Sequence, residues 1–584
     1  MKKLLLLICL LTSIQVWGQE IALPRFTAPH EMDWLLSGYT PPDASFSSIL
    51  TPPQSSPRAM AEWEELQGLI ITWTPSYSVI QKEIVRNAAK ETDVYVVCID
   101  TNSVKSLLLS ESISMDRVRL IKAPYNSIWV RDFGPNPVYL NDVDSLVLVD
   151  WIYNRPRPKD DTLSTTIASW LNVPLYQTKS APDDLVHTGG NFMSDGLGNA
   201  FSSNLVLNEN GPNNNYGTSN HTSLEVDSIM KSFMGIKRYF KMDILPYDEI
   251  HHIDMHMKLL DEETLLVGQY PPGTADGPQI EANIQYLLST FKTAYGRDFK
   301  VIRIPMPPQG GAYPNSGGDY RTYANAVFVN KTVLLPIYEQ KYDTTALRIW
   351  REAMPGYNVV GIDCNSIITS LGAIHCITKE IGVSDPLWIT HSAWRGIVAP
   401  QMDGYDVVAR IQHRSGIESA TMWYTTDTTA AYQSVNMTYI GQDNNWSAVI
   451  PFPGLDKEVF YYIQATSNSG KTGLRPITAP RGYYHFRTET MLGTGQTEVN
   501  TLELAYPNPA RGITCIPVTT EHSSKVALTL HDIWGNQVQS IFTGTQSAGS
   551  KNYFIDAATL TPGTYFIQLQ SGQEVKVQRL VVVN

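Results

Sequence analysis

The stretch LGAIHCITKE (371–380) sets Cys376 beside His375 in an apolar frame. Such a thiol has three readings: a buried structural residue, half of a disulfide, or a nucleophile. A nucleophile needs a lowered pKa or a nearby base, and its partners can be distant in sequence. EIHHIDMHMKLLDEETLLVGQY (249–270) supplies candidates. Read as a strand, it puts His252, Asp254 and His256 on one face. SIWVRDFGPNPVY (127–139) puts Asp132 near Trp129 and Arg131. A carboxylate beside an aromatic ring suits a planar cation; the bland alternative is a strand end with an Arg–Asp surface pair. DDLVHTGGNFMSDGLGNAFSSNLVLNENG (183–211) offers Gly189 and Gly190 for close backbone approach, with Asn191 and Asp195 as ligand contacts. It lacks the Gly-Lys-Ser/Thr of a phosphate loop. Together, a cysteine, a distant histidine and two carboxylates form a coherent set. The carboxylates hold a guanidinium by paired hydrogen bonds, the thiolate attacks its central carbon, and the histidine protonates the departing nitrogen. A metal site built from His252, Asp254 and His256 competes with this reading but has no evident further ligand.

The elements that must position these residues alternate. DVYVVCI (93–99) and VRLIKAP (118–124) read as strands from β-branched density. AEWEELQG (61–68) and YSVIQKEIVRNAAKE (77–91) read as helices, the second with Val79, Ile80, Ile84, Val85 and Ala88 near helical spacing. GPQIEANIQYLLSTFKTAYG (277–296) reads as a helix followed by the strand FKVIRIPMP (299–307). This alternation argues an α/β domain. After about residue 405 the pattern changes to short strands and turns, as in 419–454 and 458–473, which predicts an immunoglobulin-like β-sandwich. From about 500 a further all-β unit begins, with a hairpin turn at Ser571-Gly572.

The chain has 584 residues, enough for two to four domains. Its formal charge of −12 and the lack of a dense Lys/Arg cluster argue against a nucleic-acid binder. MKKLLLLICLLTSIQVWGQE reads as a secretory signal peptide cleaved after Gly18, with an apolar run too short to span a bilayer, and no later stretch reaches transmembrane length. Once Cys9 leaves with it, Cys98, Cys364, Cys376 and Cys515 remain, too few for a disulfide scaffold. A Cys364–Cys376 pair is one arrangement to weigh.

In order along the chain, WVRDFGP, HTGGNFMSDG, HHIDMHMK, TYANAVFVN (322–330) and IHCITKE resemble the motifs of the guanidino-modifying deiminases, the bacterial peptidylarginine and agmatine deiminase family. The resemblance covers roughly residues 25–400. It implies a pentein-type five-bladed α/β propeller, which periodicity alone does not give. It makes Cys376 the nucleophile, His252 the general acid/base, Asp132 and Asp254 the guanidinium ligands, and Asn325 a lesser catalytic candidate, with Trp129 at the substrate. IYNRPRPKDD (152–161) resembles a segment of secreted peptidylarginine deiminases in which paired arginines grip a C-terminal arginine's carboxylate, assigning Arg155 and Arg157 to substrate binding. Thr188 stands before Gly189 where agmatine deiminases usually carry an acidic residue, which favours a peptide substrate. YPNPARG and the final PGTYFIQLQSGQEVKVQRLVV resemble a type IX secretion sorting domain, implying a Bacteroidetes outer-surface or secreted protein that engages secretion machinery. The expected organisation is a signal peptide (1–18), catalytic domain (19–405), immunoglobulin-like domain (406–498) and sorting domain (499–584). The expected reaction converts peptide arginine to citrulline and ammonia through a thiouronium on cysteine. It requires no cofactor, and the sequence leaves a structural calcium or sodium open. The alternatives are a deiminase of agmatine or free arginine, a non-catalytic surface binder, and a cysteine peptidase or amidase, which has no use for two framing carboxylates.

Overall fold

The computed structural model describes residues 22–45, 47–441, 443–489, 501–520, 523–547, 549–572 and 574–583. The expected signal peptide lies outside them. The described residues fall into two units, one ending at Glu489 and the other beginning at Thr501.

Within the first unit, one pattern recurs five times: two antiparallel strands, a helix, then a third strand parallel to the second. The first repeat pairs Asn136–Leu140 with Ser145–Asp150, crosses by helix Leu163–Leu171 and returns at Leu175–Gln177. The second uses Met193–Ser194, Asn199–Ser203, helix Ser223–Met234 and Arg238–Met242. The third uses Met257–Asp261, Thr264–Gln269, helix Gly277–Thr290 and Lys300–Pro305. The fourth uses Val327–Val329, Thr332–Ile337, helix Gln340–Ala353 and Asn358–Asp363. The fifth joins the two ends of this region. Lys379–Gly382 pairs antiparallel with Leu66–Thr72, and helix Ser78–Ala88 leads to Asp93–Cys98.

Local sequence explains these elements. Strands such as Asp93–Cys98 are nearly continuous apolar runs, as expected where a parallel strand is covered. Helix Ser78–Ala88 buries Ile80, Ile84, Val85 and Ala88 toward the sheet and leaves Val79 exposed. Helix Ser223–Met234 starts with a Thr222–Glu225 capping box. It stops at Gly235, whose φ of 74° and approach to Pro57 O leave no room for a Cβ.

Each repeat is preceded by a tight, buried turn: Val130–Phe133, Gly189–Asn191, Ile253–Met255, the residues around Asn325, and His375–Ile377. These five turns carry the chemistry-bearing motifs. Because equivalent positions of equivalent repeats converge, residues far apart in sequence meet.

Three expected elements differ. AEWEELQG is not a helix. It is a turn leading into strand Leu66–Thr72, because Leu66, Leu69, Ile70 and Ile71 are buried as a run and not as a helical stripe. His252 and Asp254 are not on a strand. His251 has φ of 56°, Ile253–Met255 form a 3-10 turn, and pairing starts only at Met257. The helix from Gly277 ends at Thr290, before the expected 296.

Residues 388–488 form two sheets around a shared apolar core that includes Ile389, Val407, Ile411, Met422, Tyr461 and Phe486. The first strand, Trp388–His391, pairs with Tyr405–Gln412, so the expected boundary at 405 falls inside this sheet. Arg475–Glu262 and Arg410–Asp142, each at 2.8 Å, tie these sheets to the repeats.

The second unit has one sheet of Thr501–Leu502, Ile513–Thr520 and Gly549–Asp556, and another of Gln537–Gln546, Ser524–His531, Gly563–Ser571 and Glu574–Val582. Their inward residues share one core, including Ile516, Val518, Leu528, Leu530, Ile567 and Leu580.

Arg131 and Glu380 fasten the turn before the first repeat to the strand that closes the ring. Their two bonds are 2.7 and 2.6 Å, and both side chains are 3% exposed. Arg131→Met leaves a buried carboxylate without its fork. Urea unfolding should show a loss of about 3–5 kcal/mol; an unchanged midpoint would contradict this role.

Candidate active site

The five turns enclose one side chain, the guanidinium of Arg25. It is completely buried. Asp132 accepts from Nε at 2.9 Å and Nη2 at 2.8 Å. Asp254 accepts from Nη1 at 3.1 Å and Nη2 at 3.0 Å. Two carboxylates thus grip two edges of the planar cation. Nη1 also donates to Cys376 Sγ at 2.7 Å. His252 Nδ1 lies 3.5 Å from Asp132 Oδ1, and this buried nitrogen makes no hydrogen bond.

The turns aim these groups. In Val130–Phe133, Arg131 leaves toward Glu380 while Asp132 faces the guanidinium. Gly190 makes the approach feasible: a Cβ there would lie 1.8 Å from Arg25 Nη2 and 2.7 Å from both Asp132 Oδ1 and His252 Nδ1. Asn325 binds the Asp254 carbonyl through Nδ2, at 3.2 Å. Its Oδ1 accepts from the His375 amide at 3.1 Å and from Cys376 Sγ at 3.3 Å. Asn191 bonds Ser203 on the neighbouring strand, and Asp195 bonds Leu197 and Asn199 in its own hairpin, so both serve local structure.

Electrostatics follow from burial plus one cation. Burial alone raises the Asp254 carboxyl, but the Arg25 guanidinium and the His375 hydrogen bond outweigh it and hold Asp254 far below the usual range. Asp132 is lowered in the same way, with burial overcome by Arg25 and His252. Burial, reinforced by Arg25, brings the His252 imidazole down to about 3, so it is a neutral base at physiological pH. Burial pushes the Cys376 thiol well up, and Asp254 and Asp132 add to this; the guanidinium opposes them.

The main chain around Arg25 is held as well. Trp129 Nε1 donates to Leu23 O at 2.9 Å, and Arg155 Nε to Arg25 O at 3.1 Å. Arg157 donates to Pro24 O at 2.8 Å and Phe26 O at 3.2 Å, and forks onto Glu31 at 2.6 and 2.9 Å. Trp129, Arg155 and Arg157 therefore meet one peptide segment on both sides of an arginine.

Cys364 and Cys376 both carry free thiols, so the disulfide weighed above is absent. Among the described residues, one trio of metal-type donors converges, Glu62, His375 and Glu380, with ligand atoms within 4.8 Å of one another. Its negative charge is already met by Arg131 on Glu380 and Lys258 on Glu62. His252, Asp254 and His256 do not converge in this way.

A family model for Porphyromonas-type peptidyl-arginine deiminases matches residues 58–381, more than half the chain. The chain belongs to this family. A candidate agmatine deiminase of Vibrio parahaemolyticus is 24% identical over 336 residues, covering 53% of this chain and 90% of its own. One from Legionella pneumophila is 27% identical over 271 residues, covering 45% and 75%. A crystal structure of a further candidate agmatine deiminase, 21% identical, superposes with a TM-score of 0.51 over 58% of this chain and 100% of that one.

The repeat architecture is thus the pentein fold of guanidino-modifying enzymes, and the chain is a cysteine-dependent deiminase acting on an arginine- or agmatine-type guanidine. Such enzymes require no cofactor. Residues 504–583 match the secretion system C-terminal sorting domain, so the protein is a type IX secretion client, secreted or held at the surface. Among the described residues no helix is long and apolar enough to cross a membrane.

Sequence reasoning missed Arg25, which stands in the unremarkable stretch LPRF, and Glu62. It left His375 without a task. His375 Nδ1 meets Asp254 Oδ2 at 2.9 Å and Nε2 meets both Glu62 oxygens at 3.1 Å, so this ring orients a guanidinium ligand. Its place beside Cys376 was the available signal; Glu62 offered none.

Gly190→Ala puts a methyl 1.8 Å from the guanidinium nitrogen Nη2. Turnover of every guanidine should fall to background while the circular dichroism spectrum stays native. Activity within twofold of the parent would contradict the packing described.

Proposed function

We propose that the protein is a peptidylarginine deiminase, with Cys376 as nucleophile, His252 as general acid/base, Asp132 and Asp254 as guanidinium ligands, and Asn325 holding Cys376 and Asp254 in register. The observation that carries the peptide reading is the bond from Arg155 to the carbonyl of Arg25. Peptide arginine has that oxygen; agmatine, which lacks the carboxyl carbon, does not. In a C-terminal arginine the oxygen belongs to a carboxylate, so the same bond becomes charge-assisted on both sides. Arg157 already holds a carboxylate, that of Glu31, which supports its assignment to an anionic substrate group.

Binding brings the cation that opposes the upward shift of the thiol. Cys376 gives its proton to neutral His252 and attacks the guanidinium carbon. The tetrahedral adduct collapses as His252 returns the proton to the departing amino group, which leaves as ammonia. Water, deprotonated by the same histidine, attacks the thiouronium. Citrulline leaves as its hydroxyl proton passes to Sγ, and His252 gives its proton to solvent, which restores the thiol and the neutral histidine. We read the 388–488 sandwich as an immunoglobulin-like support, an assignment supported by its paired sheets and its salt bridges to the repeats. The proposed catalytic domain then ends near 387.

The names of the curated relatives favour a second reading, agmatine as substrate. Citrulline or carbamoylputrescine formation from a peptide ending in arginine, the same peptide with arginine internal, and agmatine separates the two. The expected order of kcat/KM is C-terminal, internal, then agmatine, with all activity lost in Cys376→Ala. Arg155→Ala should lower kcat/KM for the peptides roughly 10- to 100-fold, as for a lost hydrogen bond to a charged group, and leave agmatine unchanged. Agmatine as best substrate, or equal losses on all three, would overturn the peptide assignment.

A further inference from the structure

The guanidinium in the site belongs to the protein itself. Residues 22–39 run through it as a plug. Arg25 N donates to Ser370 O at 3.0 Å, and Trp129, Arg155 and Arg157 hold the carbonyls of residues 23–26. Pro29–Leu36 forms a helix whose Glu31 locks onto Arg157. Leu35 and Tyr39 then bury against Ile152, Val186 and Tyr216. Arg25, Cys376 and His252 are all 0% exposed, so no external guanidine reaches the thiol while the segment is in place. A cleft of about 870 Å³ lies elsewhere, lined by residues such as Glu262, Arg297 and Arg475.

Arg25 makes the contacts that the proposed mechanism asks of a substrate guanidinium. It is framed by both carboxylates, Nη1 touches Sγ, and Nη2 lies on the Gly190 side that His252 also faces. We propose that Arg25 is the enzyme's own first substrate, converted to citrulline in cis, and that the segment closes the site until this turnover. The proposal rests on the deiminase reading above. Cys376 passes its proton to His252, Sγ bonds to the guanidinium carbon, and the bond to Nη2 breaks. That nitrogen leaves as ammonia with a proton from His252. Water then adds to the carbon, one proton passing to His252 and from there to solvent; the bond to Sγ breaks and the remaining hydroxyl proton returns the thiol. Residue 25 becomes a neutral ureido side chain.

Release follows from charge. The guanidinium offers only donors to Asp132 and Asp254. The ureido group has no charge and sets an oxygen where Nη2 donated to both carboxylates. Lone pairs then face lone pairs in a buried site, and the strongest anchor of the segment is lost.

The test uses the intact full chain, wild type and Cys376→Ala, each digested and analysed by mass spectrometry for the peptide bearing residue 25. The proposal predicts a ureido group in wild type and an intact guanidinium in the mutant. The conversion rate should not change on serial dilution, and Arg25→Ala should begin on an added arginine peptide without the lag of freshly folded wild type. Unconverted Arg25 in a wild type whose Arg25→Ala variant turns over the peptide would overturn self-modification and leave the deiminase reading standing. Conversion that slows on dilution would overturn the cis step. Absence of product from every guanidine with both wild type and Arg25→Ala would instead defeat the deiminase reading itself.

Discussion

One interaction organises the molecule: a single guanidinium between two buried carboxylates. Asp132 and Asp254 are each 1% exposed at the side chain. Burying one carboxylate costs several kcal/mol even after relaxation, and two side by side repel. The arrangement is tolerable only with a planar cation that meets both. The rest of the site is a scaffold for that demand. Asp132 and Asp254 enter from different repeats, and His375 and Asn325 fix Asp254 from two further turns.

The same cation controls the nucleophile. In this sealed site burial disfavours the thiolate, and both carboxylates add to the penalty. A guanidinium against Sγ opposes those terms. Of the charged groups around Sγ, the guanidinium is the one that favours the thiolate. The N-terminal segment extends that logic: it occupies the site with the group the site is built to hold.

Much of this was legible in the sequence, for uneven reasons. Asp132, His252, Asp254 and Cys376 stand out because their residue types fit one chemistry, and Asn325 through the family resemblance; the turns bring Asp132, Asp254 and Cys376 into contact with one guanidinium. Helix Ser78–Ala88 and strand Asp93–Cys98 were legible from periodicity and β-branched runs. The closure of the repeats was not, since Lys379–Gly382 pairs with a strand some 300 residues earlier and no local pattern encodes it. The turn at Ile253–Met255 was misread as strand because alternation in HHIDMHM mimics a pleat, whereas His251 takes a left-handed backbone and breaks it. Arg25 was invisible because its significance lies wholly in what surrounds it.

The central claim is that Cys376 attacks a guanidinium framed by Asp132 and Asp254. The most direct measurement is acid quenching of the Arg25→Ala protein during turnover of an arginine peptide, followed by digestion and mass spectrometry. The account predicts a thiouronium adduct on the peptide containing Cys376, appearing with the first equivalent of ammonia and decaying as citrulline forms. Full citrulline production by a Cys376→Ser protein, or an adduct on Cys98 or Cys364 in place of Cys376, would contradict it.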